Sequence, residues 1–360
     1  MNKIIRASNT LQSEILEQDC RSQIPERAQN PQFFFLSDYM FGGCQTFTAH
    51  LLRSLNRSLV LRLNMGEGPQ NRLKDFGYGI RYQTVPLNFL DRIQRPFITD
   101  MFGHPHILES LDRDDITIVI HDPGEISVCN QRYLNKWNII TIRKSMQHFI
   151  QEKFGFDTTF LYHPFYQYNI ALDNDCGYAE RDIEQKDRAV AISRIDFLKN
   201  TDIILNANKM VKRLYVEIYG WANGRYVASE LDGLTFRKFY KGKFEKSFAV
   251  MTKILRPAKF MVDLSQLPMD GGGTQYTFLN AIYHNCAIIL NRRWIEDIDP
   301  KFCDFKEGVN CYAVSDGQEL AELLDSGIDT LKIVRNARKL LDRHINTEGW
   351  SKKVSESCRL

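Results

Sequence analysis

The chain contains 360 residues, of which 43% are hydrophobic and 25% are charged, and its formal net charge is +3. This length exceeds one ordinary core and predicts two domains of a soluble globular protein. No apolar run approaches the roughly 20 residues that span a bilayer, and segment 1–30 lacks the apolar core of a signal peptide, so we expect a cytoplasmic protein. The eight scattered cysteines form no Cys-x-x-Cys pair, so no metal site is expected.

Short β-branched or aromatic runs alternate with helical segments in the first half, which predicts a parallel sheet. Strands are predicted at 33–37, 58–63, 80–85, 116–120, 138–142 and 158–162, with helices at 44–55 and 145–154. The first Rossmann-like domain is therefore expected at residues 1–168. A polar segment without periodicity, residues 169–187, predicts a linker.

A second alternating series follows the linker and predicts a second Rossmann-like domain at 188–342. Strands are predicted at 189–195, 214–219, 235–240, 259–264 and 286–290, with helices at 201–211, 246–255 and 329–344. Residues 343–360 are expected to form a tail or a returning helix. Two such α/β units place a cleft between the carboxyl ends of their sheets, where ligands bind.

A glycine-rich turn between the predicted strand 260–264 and a helix is the most informative local feature. Asp270 is followed by three glycines ending at Gly273, and then by Thr274, Gln275, Tyr276 and Thr277. Backbone N–H groups at such a helix start, together with the helix dipole, suit a phosphate or diphosphate. Glycine-rich turns also have purely structural uses, so this pattern by itself is of limited specificity.

Three further groups lie at the carboxyl ends of predicted strands. Gly43 opens the helix after the first strand, where a tight turn is an equally good interpretation. Arg194 and Lys199 flank a turn after the first strand of the second unit, from which both cations could reach one diphosphate and stabilise it as it leaves. His121 and Asp122 follow strand 116–120 and could orient an acceptor hydroxyl, although an Asp-Pro turn that caps a helix explains them equally well.

A basic excess in segment 45–95 is the remaining candidate for binding. This segment has eight Lys or Arg residues against three acids. A solvated face explains such an excess, and a polyanion such as DNA is the functional alternative. The residues predicted to contact DNA are Arg53, Arg72, Lys74 and Arg81.

Taken in order, these segments resemble the retaining glycosyltransferases of the GT-B fold, which have two Rossmann-like domains facing a cleft. The resemblance implies that Arg194 and Lys199 hold the diphosphate of a nucleotide sugar. It places Asp270, shifted by what looks like a two-residue insertion, on the transferred sugar, and Asn280 on the ribose where the family has a glutamate. Lys243 and Phe244 are also predicted to bind the nucleoside.

Shorter strings are similar to the DNA α-glucosyltransferases of T-even-type bacteriophages, namely Gly43-Cys44 with Thr46-Phe47, His121-Asp122, and residues 276–280. This similarity implies a UDP-sugar as co-substrate, with no further cofactor and no metal. The acceptor would be hydroxymethylcytosine in double-stranded DNA, flipped out of the helix, and the protein would work in the host cytoplasm.

The sequence leaves the transferred sugar open, because glucose and a pentose such as arabinose differ by one hydroxymethyl group. Two other functions stay open: a transferase acting on a glycan or lipid-linked saccharide, and an inactive transferase fold that binds a nucleotide or DNA. The feature that supports the inactive alternative is Asn280, which stands in place of a glutamate.

Overall fold

Two parallel sheets organise the computed structural model, which describes residues 33–36, 42–64, 70–101, 105–127, 129–169, 185–265 and 273–358. The first sheet lies in the N-terminal half and the second in the C-terminal half, so the described chain consists of two Rossmann-like domains. The alternation of strands and helices in the sequence correctly predicted this fold class.

The first sheet has eight strands among the described residues, in the order β3-β4-β2-β1-β5-β6-β7-β8. Its strands are β1 (Phe33–Phe35), β2 (Leu59–Asn64), β3 (Gln70–Gly77), β4 (Ile80–Pro86), β5 (Phe97–Asp100), β6 (Thr117–Ile120), β7 (Asn138–Thr141) and β8 (Thr159–Phe160). Only the edge strand β3 pairs in the antiparallel sense. The central strands are rich in apolar residues because helices cover both faces of a parallel sheet.

Helices connect these strands and cover the sheet. They are α1 (Gly43–Ser54), α2 (Pro105–Ser110), α3 (Pro123–Ser127), α4 (Gln131–Leu134) and α5 (Lys144–Phe154), with a 3-10 helix at Leu87–Arg92. Helix α1 follows Gly42, whose positive φ of 85° is open to glycine at little strain. None of the described helices has both the length and the apolar character needed to cross a membrane.

The second sheet is parallel throughout and has the order β11-β10-β9-β12-β13-β14. Its strands are β9 (Arg188–Ile192), β10 (Val216–Tyr219), β11 (Tyr240–Gly242), β12 (Ala258–Asp263), β13 (Ala287–Asn291) and β14 (Tyr312–Val314). The helices are α6 (Thr201–Met210), α7 (Gly224–Glu230), α8 (Gly233–Phe239), α9 (Phe248–Leu255), α10 (Tyr276–Tyr283), α11 (Arg293–Glu296), α12 (Gly317–Asp325), α13 (Leu331–Ile345) and α14 (Glu348–Cys358).

The strand predicted at 235–240 is wrong, because this segment belongs to helix α8 and only its last residue begins β11. Asp232 caps the helix by accepting hydrogen bonds from the backbone N–H groups of Leu234 (3.2 Å) and Thr235 (3.4 Å). Phe236 and Phe239, three residues apart, are both buried on one helix face. The short strands β3, β5 and β14 were not predicted.

Strand order reverses at one point in each sheet, between β1 and β5 and between β9 and β12. The crevice outside the carboxyl ends of these strands is where open α/β sheets bind ligands. Among the described residues, those that directly follow β6 lie at this edge of the first sheet, and those that directly follow β9 lie at this edge of the second.

The two domains share an aromatic core built around His50 of α1. Its ring stacks on Tyr276 of α10, with centroids 4.6 Å apart, and on Phe165 of the connecting segment, at 4.7 Å. Its Nδ1 accepts a hydrogen bond from the backbone N–H of Tyr166 at 3.0 Å. Burial lowers the pKa of His50 to about 3, so the ring is neutral at physiological pH.

The last helix, α14, returns to the first domain. Trp350 Nε1 donates a hydrogen bond to the carbonyl oxygen of Tyr162 at 2.7 Å, and its ring lies 5.4 Å from that of Phe47. The Phe165 N–H also donates to the His344 carbonyl oxygen of α13 at 2.9 Å. Segment 161–169 is thus held between helices that belong to different parts of the chain.

Gly220 should be intolerant of any side chain. Its φ is 142°, and an added Cβ would lie 1.7 Å from the carbonyl oxygen of Ser193. We expect Gly220→Ala to lower the free energy of unfolding by about 3 kcal/mol or more, since backbone itself must move. Gly224→Ala is the matched control, because its Cβ meets no described atom within 4 Å. Equal urea midpoints for the two variants would contradict this expectation.

The neutral His50 should make the fold sensitive to acid. In the unfolded chain His50 takes up a proton below pH 6.5, whereas in the folded chain it does so only near pH 3. Its contribution to stability is therefore complete above pH 6.5 and is lost as the pH falls toward 3, at up to about 1.4 kcal/mol per pH unit.

Urea unfolding of His50→Gln between pH 7 and 5 tests this contribution. Glutamine can still accept the Tyr166 N–H but cannot gain a charge, so stability should fall less steeply with acid than in the wild type. His106→Gln changes an exposed ring of α2 and serves as the control. A slope for His50→Gln identical to that of the wild type would show that His50 does not limit acid stability.

Candidate active site

Lys199 occupies the carboxyl edge of the second sheet, at its switch point. Its Nζ is buried and donates a hydrogen bond to Ser265 Oγ at 2.7 Å. Ser265 in turn donates its hydroxyl and its backbone N–H to Asp263 Oδ1 at the end of β12. This chain of contacts joins the loop after β9 to the loop after β12 and fixes where the ammonium lies.

Arg194 lies beside this lysine but remains exposed. Its Nε is 3.5 Å from Asp196 Oδ2, and 46% of its side chain is accessible. Burial is the main cause that lowers the pKa of Lys199, and the charge of Arg194 lowers it further, against the opposing effects of Asp263 and Asp196. The two cations that the sequence predicted as a pair are therefore close in space.

The described part of the glycine-rich turn leads into helix α10. Gln275 precedes the helix and makes no capping hydrogen bond through its side chain, so that side chain satisfies none of the first backbone N–H groups of α10. Thr277 Oγ1 is buried and has no hydrogen-bond partner among the described residues. Asp270, predicted to bind the transferred sugar, lies outside the described residues.

Thr274 anchors this turn to the core between the domains. Its hydroxyl lies 3.3 Å from Nε2 of His344 and 3.5 Å from Nδ1 of His163. His344 Nδ1 donates to the carbonyl oxygen of His163 at 2.9 Å, which leaves its Nε2 as the acceptor for the threonine. Burial lowers the pKa of His344 to about 4, so this network is neutral.

His121 is held in one orientation at the end of β6. Its Nε2 lies 2.7 Å from the Thr99 carbonyl oxygen, which can only accept, so Nε2 carries the proton and Nδ1 is the acceptor. Its backbone N–H donates to Glu125 Oε2 at 2.8 Å. Burial lowers the pKa of His121 to about 4, despite opposing contributions from the Thr99 carbonyl and Asp122.

Asp122 also has a structural role. Its Oδ1 accepts the backbone N–H of Gly124 at 2.8 Å in the first turn of α3, so the helix-capping interpretation of this Asp-Pro motif holds for that oxygen. The side chain is half-buried beside His121. The sequence analysis placed this pair after a strand, and both residues follow β6 at the carboxyl edge of the first sheet.

A buried acidic group lies behind His121. The ligand atoms of Cys44, Asp100 and Glu125 lie within 4.8 Å of one another. Burial, together with the charges of Asp100 and Asp122, raises the pKa of Glu125 well above its usual value, and burial does the same for Cys44. Burial therefore favours the protonated forms of Cys44 and Glu125, and the group packs behind His121.

Gly43 begins helix α1 beside this group. An added Cβ at Gly43 would meet no described atom within 4 Å, so space lies next to the start of the helix. Gly42 and Gly43 offer no side chain to cap α1, so its first backbone N–H groups gain no hydrogen bond from these two residues. The location suits the role that the sequence predicted for Gly43, contact with a donor diphosphate.

Sequence reasoning missed Arg143, which follows β7. Its side chain extends to the second domain, since a Cβ added to Gly273 would lie 3.0 Å from Arg143 Cγ and 3.2 Å from its Cδ. Burial lowers the pKa of Arg143 to about 10, while Asp122, Cys44 and Glu125 raise it, so the guanidinium stays charged. Its position after a strand at the sheet's carboxyl edge was the available signal.

Asn280, one of the predicted nucleoside-binding residues, is engaged in contacts within the protein. Asn280 is 2% exposed, and its amide is engaged at both ends: Oδ1 accepts from the Tyr168 hydroxyl and Nδ2 donates to the Tyr276 carbonyl oxygen, each at 2.7 Å. Its contacts therefore do not support the predicted contact with a ribose. Lys243 and Phe244 follow β11, where Lys243 is exposed and Phe244 is half-buried.

The predicted DNA contacts are dispersed. In the β3–β4 hairpin Lys74 pairs with Tyr82 and Asp75 with Arg81, so Lys74 and Arg81 leave the sheet on opposite faces. The guanidinium of Arg53 lies 5.2 Å from the centroid of the Tyr166 ring. The backbone of Arg72 belongs to β3, and its side chain lies outside the described residues.

No protein-family model and no curated protein sequence matches this chain. Solved structures do match it. The Anabaena protein HepE, solved with UDP and glucose, has a TM-score of 0.63 at 13% identity, covering 91% of this chain and 99% of that chain. The chain has the GT-B fold.

Two further structures with this fold cover this chain equally well. A glycosyltransferase from Rickettsia africae has a TM-score of 0.58 at 10% identity, over 92% of this chain and 100% of that one. An α-glucosyltransferase solved with UDP-glucose and DNA containing an abasic site has a TM-score of 0.61 at 9% identity, over 92% and 99%. The expected fold class is thereby confirmed, and identities this low show the fold alone.

Proposed function

We propose that this GT-B protein is a glycosyltransferase that uses a UDP-sugar as its donor. The observation that carries the proposal is the convergence of Arg194 and Lys199 at the switch point of the second sheet. Fold neighbours solved with UDP-glucose, namely HepE and the α-glucosyltransferase, support the choice of donor.

The donor diphosphate would lie between these cations and the N-terminus of α10, with the start of α1 at Gly43 on the opposite side of the cleft. Negative charge develops on the diphosphate as the bond from the anomeric carbon to the phosphate oxygen breaks. Fixed cations and helix N–H groups stabilise that charge where it appears. The proposal needs no metal ion, because Arg194 and Lys199 supply the positive charge.

We propose a retaining reaction in which the acceptor oxygen bonds to the anomeric carbon on the face that the diphosphate leaves. The acceptor's proton passes to the departing phosphate oxygen, so no strong protein base is needed. His121 Nδ1 can accept a hydrogen bond from a sugar or acceptor hydroxyl, with Asp122 beside it. Asp270 keeps its proposed role on the hydroxyls of the transferred sugar.

For the acceptor we propose hydroxymethylcytosine in double-stranded DNA. Support comes from the short sequence similarities at the cleft and from the DNA-bound α-glucosyltransferase among the fold neighbours. The basic residues Arg53, Lys74 and Arg81 would contact phosphates around the cleft rather than form one continuous patch. A glycan or lipid-linked saccharide is the alternative acceptor.

Arg194→Ala should slow transfer and acceptor-free hydrolysis of UDP-glucose by roughly a hundredfold, the scale of a lost transition-state charge contact of about 3 kcal/mol. UDP release measures both reactions. Arg237→Ala removes an exposed arginine of α8 and is the matched control. If Arg194→Ala stays within twofold of the wild type, Arg194 does not act on the leaving group.

Hydroxymethylated duplex incubated with UDP-glucose and UDP-pentoses should gain the mass of one sugar per modified base, whereas unmodified duplex should gain none.

Lys74→Met should reduce the slope of log DNA affinity against log salt concentration by about one unit, because one phosphate contact is lost. Lys332→Met removes an exposed lysine of α13 and is the control. Transfer to a saccharide but not to DNA would reject the proposed acceptor.

A further inference from the structure

We propose that Arg143 is a third diphosphate ligand, supplied by the first domain, and that Gly273 is the residue that lets its side chain reach the ligand. This inference rests on the proposed function and deepens it. The donor would then be gripped across the cleft by both domains, rather than by Arg194 and Lys199 of the second domain alone.

The backbone places Arg143 at the required edge of the first sheet. Strand β7 pairs in parallel with β6, and Thr141 lies opposite Ile120, the residue before His121. Arg143 therefore follows β7 on the same carboxyl side as His121 and Asp122. It immediately precedes helix α5 and makes no capping hydrogen bond to that helix through its side chain.

The side chain then crosses to the second domain. Its Cγ, Cδ and Nε lie 3.0, 3.2 and 3.4 Å from the position of a Cβ added to Gly273. Gly273 lies three residues before Tyr276, the first residue of α10, and Thr274 between them is anchored to His163 and His344. The guanidinium is thus held beside the helix start at which the diphosphate is proposed to bind.

The surrounding charges agree with this location. Asp122, Cys44 and Glu125 face Arg143 from its own domain, and burial favours the protonated forms of the last two, while Asp263 and Asp196 lie beside Lys199 in the other domain. Arg143 is also among the charges that lower the pKa of Lys199, after burial and Arg194. Cations from two domains and a helix N-terminus therefore border one space, and a dianionic group in that space offsets their mutual repulsion.

A glycine at position 273 has a specific purpose in this arrangement. A Cβ at 3.0 Å from Arg143 Cγ is too close, so any side chain at Gly273 requires the arginine to shift by some tenths of an ångström. Alanine at this position therefore displaces the guanidinium without removing it. Gly273→Ala therefore perturbs the position of Arg143 through a change in the second domain.

Calorimetric titration with UDP and with uridine tests the inference. Arg143→Met should weaken UDP binding roughly ten- to a hundredfold, the scale of lost charge-assisted hydrogen bonds, and leave uridine binding unchanged. Arg143→Lys keeps a positive charge but lacks the planar guanidinium, so its affinity for UDP should lie between those of the wild type and Arg143→Met. Gly273→Ala should weaken UDP binding in the same selective way.

Lys144→Met is the matched control. It removes the same charge one residue further along, from an exposed lysine whose Nζ lies 5.9 Å from the centroid of the Phe160 ring. UDP affinity should be unchanged in this variant. An equal loss in Lys144→Met and Arg143→Met would reduce the effect to general electrostatics and overturn the proposal.

The remaining outcomes separate this inference from the proposed function. If the wild type fails to bind UDP, the proposed function itself fails. If the wild type binds UDP and Arg143→Met binds it equally well, or loses UDP and uridine in the same proportion, only the role of Arg143 is overturned. Should Arg143→Met not fold, selective loss of UDP affinity in Arg143→Lys and Gly273→Ala decides the question.

Discussion

Stacking between α1 and α10 through His50 is the contact on which the geometry of the cleft depends. Both helices begin at the cleft, α1 at Gly43 and α10 at Tyr276, and both owe their relative position to one neutral ring. A charged ring buried here would oppose the stack, because no described acid faces it and burial penalises the ion. Keeping His50 uncharged is therefore a condition for the two helix starts to face each other.

Burial in the first domain and hydrogen bonding in the second both affect the charge at the cleft. Behind His121, burial favours the protonated forms of Cys44 and Glu125, which lessens the negative charge that these two groups place near a bound donor. In the second domain Ser265 separates Lys199 from Asp263, so the ammonium is held in place while much of its charge remains available. Both devices preserve a positive field where a diphosphate would lie.

Periodicity was enough to predict the two Rossmann-like domains, and strand-end position led to Arg194 and Lys199, whose role on a diphosphate stays a prediction. Local patterns failed where another interaction decided the outcome. Aromatic residues favoured a strand at 235–240, but the Asp232 cap and one-sided burial of Phe236 and Phe239 make a helix. Local sequence was also insufficient for Asn280. Its side chain accepts a hydrogen bond from Tyr168, which lies 112 residues away in the chain.

The position of Arg143 after a strand was too weak a signal to single it out from the sequence. Its importance arises from Gly273, 130 positions later in the chain, and only folding brings the two together. A lone arginine after a strand has many ordinary explanations. Arg143 is distinguished by its packing against Gly273, which has no side chain. In the sequence Gly273 is only one of three consecutive glycines.

The return of α14 to the first domain has a consequence for synthesis in the cell. Trp350 contacts the carbonyl of Tyr162, a residue translated 188 positions earlier, so at ordinary elongation speed this contact waits roughly ten to forty seconds. During that interval the surface around Phe47 that the indole ring covers stays bare on the nascent chain. The first domain is thus sealed only once α14 has been made, and the apolar surface around Phe47 is open to chaperones until then.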